Sequence, residues 1–74
     1  MEGMKHIGKM VACRLRDDYV HIGMIVDIEA TNNGSWYQIE WYGNLNVKHA
    51  YYPVDTAMFY IKEYSDYKRR LCTL

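Results

Sequence analysis

Residues 21–52, HIGMIVDIEATNNGSWYQIEWYGNLNVKHAYY, contain two turn signals that set which side chains share a face on three successive strands. Asn33-Gly34 is a strong hairpin signal, because a two-residue type I′ turn needs positive φ at both central positions and these residues tolerate it. Pairing back from that turn opposes Ala30 with Tyr37, Ile28 with Ile39 and Val26 with Trp41 on one face. Thr31/Trp36, Glu29/Gln38 and Asp27/Glu40 fall on the other. The first face is apolar and the second mostly polar, as expected of an antiparallel sheet with one buried side.

The next turn lies at Gly43-Asn44. A two-residue loop there would oppose Trp41 with Asn46 and Ile39 with Lys48, setting polar groups against the core face. A three-residue loop, Gly43-Asn44-Leu45, instead opposes Trp41 with Val47, Ile39 with His49, Tyr37 with Tyr51 and Glu40 with Lys48. A one-residue slip flips every side chain, so the three-residue loop is preferred: it keeps the apolar set together and matches opposite charges.

Two further runs flank this meander. KMVACRL at 9–15 alternates at Val11, Cys13 and Leu15, and FYIKE at 59–63 has strand character. Between Pro53 and the second run, Val54-Asp55-Thr56-Ala57-Met58 predicts a single 3₁₀ turn. The expectation is an all-β chain: a five-stranded barrel over 9–63, an N-terminal extension over 1–8 and a basic tail over 64–74. In the tail, Tyr64, Tyr67 and Leu71 stand at helical spacing with Ser65 available as a cap.

At 74 residues the chain is one domain, near the size at which folding buries only about 60% of the unfolded surface. Eight Tyr and two Trp suit a small core filled by rings. Nine basic residues balance nine acidic ones, so no global field steers the chain toward nucleic acid or an acidic membrane. Cys13 and Cys72 belong to no CxxC or CxxH pattern. Reduced thiols in a cytoplasmic setting are the simpler account, and a disulfide joining the first strand to the tail stays open. MEGMKHIGKM carries an acid and lacks the apolar run of a signal peptide.

The strand order, with WYQIEWYGN followed by YYP and a short turn into FYI, resembles the Src-homology-3-like (SH3-like) small barrels. More narrowly it is similar to the small SH3-like proteins encoded by tailed bacteriophages and to Tudor-type domains. The resemblance spans residues 9–62. It implies a five-stranded SH3-like barrel with a 3₁₀ turn before the last strand, acting in the host cytoplasm if phage-encoded. The tight LRDDYV connection at 15–20 departs from the long acidic loop of peptide-binding SH3 domains, which argues against PxxP recognition. Small SH3-like electron-transfer subunits are a further possibility that no residue favours.

The resemblance to Tudor-type domains implies an ammonium cage with Tyr19 and Tyr42 as walls and Asp18 as countercharge. Strand-end tyrosines beside a solvated acidic turn are the more ordinary account of these residues. Trp36 and Tyr52 are expected together on the outer face, and exposed neighbouring rings of this kind make a contact surface. The competing expectation is that the tail covers them. Lys48, Lys62, Lys68, Arg69 and Arg70 would hold phosphates if the partner were nucleic acid, although a terminal basic run is most often only solvated.

Nothing in the chain suggests an enzyme. His6, His21 and His49 are far apart with no acid or Cys at ligand spacing, so no metal and no cofactor is implied. There is no phosphate loop and no nucleophile motif. The expected function is a protein-protein interaction module binding a host or virion protein through exposed aromatics or a free strand edge. The alternative is a nucleic-acid-binding small barrel. Zero net charge favours the protein partner, and homo-oligomers through exposed edges form a third possibility.

Overall fold

The computed structural model describes residues 2–14, 20–43 and 47–72. A 3₁₀ turn over Glu2–His6 leads into four strands, β1 (Met10–Arg14), β2 (Val20–Thr31), β3 (Gly34–Tyr42) and β4 (Val47–Pro53), and then a single helix, α1 (Val54–Cys72). The strands form one antiparallel sheet in the order β1-β2-β3-β4. The protein is therefore an open four-stranded meander with a C-terminal helix, and the expected all-β, five-stranded barrel is incorrect.

The error lies after Pro53. The segment expected to hold a 3₁₀ turn, a fifth strand and a tail is one continuous 19-residue helix. Its apolar positions Val54, Ala57, Met58 and Ile61 follow the i, i+3, i+4, i+7 spacing of a helix face. All four belong to or pack against the core. Asp55 in the first turn and Arg69 and Arg70 in the last complement the helix dipole.

Two strand registers also differ from expectation. Thr31 pairs with Gly34, so the β2–β3 turn residues are Asn32 and Asn33, and Gly34 follows them with φ +116°. The Thr31 hydroxyl donates to the Gly34 carbonyl at 2.8 Å and accepts from the Asn33 N–H at 3.2 Å, closing the turn. Ile28 then pairs with Tyr37 and Asp27 with Gln38, after which the register shifts so that Ile25 opposes Ile39. Val26 is the extra residue of a β-bulge, and it turns Ile25 rather than Val26 into the core.

On the other side of β3, Tyr42 pairs with Val47, Trp41 with Lys48, Ile39 with Ala50 and Tyr37 with Tyr52. The connection is thus four residues, and the face parity is the one the three-residue loop was chosen to avoid. Lys48 accordingly lies on the same face as Trp41, exposed at the sheet end, and Ala50 rather than His49 backs Ile39.

The core comprises Val11, Ile25, Tyr37, Ile39, Trp41 and Ala57. Full burial of Val11, Ile25 and Ile39 contributes about 1.5–3 kcal/mol each. Helix α1 packs chiefly along β1. Val11 and Ala12 point to opposite sides of the strand, yet both are buried, so the edge strand β1 is enclosed by the helix. Five of the seven β4 residues are exposed, which leaves β4 as the open edge.

Candidate functional site

Where β1 ends, β2 begins, β3 ends and β4 begins, the core face carries a pocket of about 220 Å³ lined by Cys13, His21, Trp41, Lys48, Tyr52 and Tyr60. The ladder dictates this grouping: Cys13 opposes His21, and Trp41 opposes Lys48. Tyr52 follows Lys48 on the same face four residues along, and Tyr60 enters from the second turn of α1.

Three rings form a corner. Trp41 and Tyr52 meet edge to face with centroids 6.1 Å apart, Trp41 and Tyr60 at 5.5 Å, and Tyr52 and Tyr60 at 5.4 Å, with interplanar angles of 87°, 80° and 87°. Such T-shaped pairs match the positive ring edge to the negative face. The Trp41 indole N–H donates to the Tyr52 hydroxyl at 2.9 Å, and His21 lies tilted against Trp41 at 5.5 Å. The Tyr60 hydroxyl and the Cys13 thiol line the pocket together. The pKa of Tyr60 is raised, first by burial and then by Cys13 and Tyr52, so the phenol stays neutral and able to donate at physiological pH.

The walls would attract a cation by their faces, but no carboxylate lines the pocket among the described residues, and Lys48 stands on it. The electrostatics suit an apolar guest or one tipped with an acid. Cys13 and His21 are cross-strand neighbours, a pairing able to generate a thiolate nucleophile in other geometries. Here the thiol shares the pocket lining with Tyr60 and the imidazole is packed on Trp41. Cys13 is a free cysteine.

The residues anticipated from the sequence separate. Trp36 is half-buried on the opposite face, between Glu29 and Pro53 in the ladder, whereas Tyr52 is inside the ring corner, so the expected Trp36–Tyr52 surface does not form. Tyr42 is exposed on the outer face, where it bonds Glu40. Its pKa is raised by burial and by that carboxylate. His49 Nε2 lies 3.1 Å from the same Glu40 carboxylate, the partner expected to be Lys48. Tyr19 and Asp18, the other members of the anticipated cage, lie outside the described residues. Lys62, Lys68, Arg69 and Arg70 are all on α1, with the Lys68 ammonium 5.6 Å from the Tyr64 ring centroid.

Sequence reasoning missed Tyr60, His21 and Cys13 as site residues. The signal for Tyr60 was available: helical spacing from Val54 to Ile61 sets it beside the buried stripe. No family model, curated protein or solved structure matches the chain. The resemblances drawn above therefore rest on residue pattern alone. Among the described residues there is no cluster of three or more His, Cys, Asp or Glu able to hold a metal ion, and no helix long and apolar enough to cross a membrane.

Proposed function

We propose that this chain is a non-enzymatic protein-interaction module that receives an extended partner segment along the open edge of β4. In this reading one partner side chain, apolar or acid-tipped, enters the pocket of Trp41, Tyr52 and Tyr60. The observation that carries it is the juxtaposition of the uncovered edge strand with a ring-walled pocket whose rim bears Lys48. Strand addition draws affinity from main-chain hydrogen bonds and specificity from pockets that take alternate side chains. Val47 and Tyr51, 53% and 48% exposed on the outer face of β4, offer apolar contacts to the side chains between. The resemblance to small phage proteins extends the reading to a host or virion protein as partner.

The test is selection of a displayed random-peptide library against the immobilised protein, followed by calorimetric titration of the enriched peptide. Enriched peptides are expected to be extended, with alternating apolar residues and an acid. Lys48→Glu should weaken binding at least about tenfold, the loss of one charge-assisted contact, with an unchanged melting temperature. Failure to enrich, or equal binding by Lys48→Glu, would reject the reading.

A further inference from the structure

The ring corner carries more hydrogen-bond donors than the described chain uses. The Tyr52 hydroxyl accepts the Trp41 indole N–H at 2.9 Å, and its own proton has no acceptor among the described residues. Lys48, on the same face of β4, is exposed and forms no ion pair or hydrogen bond with any described residue. At strand rise the two residues lie about 13 Å apart along β4. The phenol is nonetheless drawn back toward Lys48, because the indole it meets belongs to the residue directly opposite Lys48 in the ladder. The Tyr60 phenol, kept neutral by burial, is a further donor on the same wall. No carboxylate lines the pocket among the described residues, and Glu40, next to Trp41 in sequence, is turned to the outer face, where it meets His49. Hydroxyl and ammonium donors that converge without an acceptor match an oxyanion.

We infer that the pocket of Trp41, Tyr52 and Tyr60 is a binding site for a small free aryl carboxylic acid, its carboxylate held between the Lys48 ammonium and the Tyr52 hydroxyl and its ring set among the three side-chain rings. The volume fixes the size of the guest. About 220 Å³ is less than the roughly 300–1,000 Å³ of pockets that take drug-sized ligands, which leaves room for one ring and a short acid arm. The three rings already meet edge to face at 5.4 to 6.1 Å, and a fourth ring continues that pattern. Charge fixes the sign: ring faces alone favour a cation, but Lys48 beside them repels one and pairs with an acid. The inference goes beyond strand addition and does not rest on it, since a free acid needs no edge of β4.

The experiment is an NMR titration of the full chain with phenylacetate, followed through the indole N–H resonances of its two tryptophans. The acid is added to about 10 mM, the range expected for a ligand of so few atoms. The Trp41 resonance should shift and saturate while that of Trp36, on the opposite face, stays in place. Phenylacetamide and phenethylamine, which keep the ring but lose or reverse the charge, should bind at least about tenfold more weakly than the acid. Lys48→Gln should reduce the acid to the level of the amide, whereas Lys62→Gln, outside the pocket lining, should bind as the parent does. Tyr52→Phe should weaken acid and amide alike by about fivefold, because both accept from the phenol. The inference is overturned by an unmoved Trp41 resonance, by an amide or amine that binds as tightly as the acid, or by a Lys48→Gln protein that keeps the preference for the acid.

Discussion

A Cβ built on Gly23 would lie 2.7 Å from the Glu40 carbonyl oxygen and 2.8 Å from Trp41 Cε3, closer than real side chains approach. Gly23 opposes Trp41 in the ladder, and the absence of a side chain lets the indole lie over the strand and reach Tyr52. Gly23→Ala is expected to destabilise the protein by about 1–3 kcal/mol, the usual cost of overpacking, and to lower the urea midpoint accordingly. His6 supplies a second test. Its ring packs edge-on to Tyr37 with centroids 6.0 Å apart, its Nδ1 is buried without a hydrogen-bond partner, and its pKa is lowered by burial and then by Lys9 and Lys5. The unfolded chain therefore takes up a proton near pH 6.5 that the native state refuses until lower pH, so stability falls as pH drops through that window and is flat with respect to His6 above it. Between pH 7.5 and 5.5 the melting temperature of the parent should fall more than that of His6→Leu. Parallel pH curves would exclude the role. Neither residue announces itself in the sequence, because a glycine in a strand and a histidine in a short turn acquire meaning only from what lies opposite them.

At the scale of the element, the strands were legible, and the helix was legible only in its second half, where Tyr64, Tyr67 and Leu71 stand at helical spacing. Alternation in 9–15 and the apolar rows of Tyr37, Ile39 and Trp41 predict β1 and β3 with the correct inward faces. Registers failed for local reasons. Asn32-Asn33 competes with Asn33-Gly34 for the turn, and the bulge at Val26 leaves no compositional trace. Over 54–61 the residues are largely β-branched or aromatic, and this favours strand in isolation; the helix forms because the same residues at period 3.6 bury a stripe against β1 and the core. Lys62→Pro tests that assignment. Lys62 is exposed in mid-helix, where proline costs about 3 kcal/mol or more, a large share of the roughly 4–11 kcal/mol available to a chain of this size. The variant should lose most of its signal at 222 nm near room temperature while Lys62→Ala retains it. A folded, helical Lys62→Pro protein would contradict a continuous α1.

For the whole molecule, one domain size, a ring-filled core, one apolar sheet face and the ends of the meander follow from composition and alternation, which are local properties of the chain. The pairing of edges does not. Helix α1 encloses β1 and leaves β4 open, and this one packing choice creates the ring corner and the available strand edge together. Tyr60 shows the same dependence, since its distance from Trp41 in sequence says nothing of the 5.5 Å between their rings. Periodicity could reveal which residues turn inward. Which inward residues meet required the long-range contacts, whose register a single bulged residue is enough to shift.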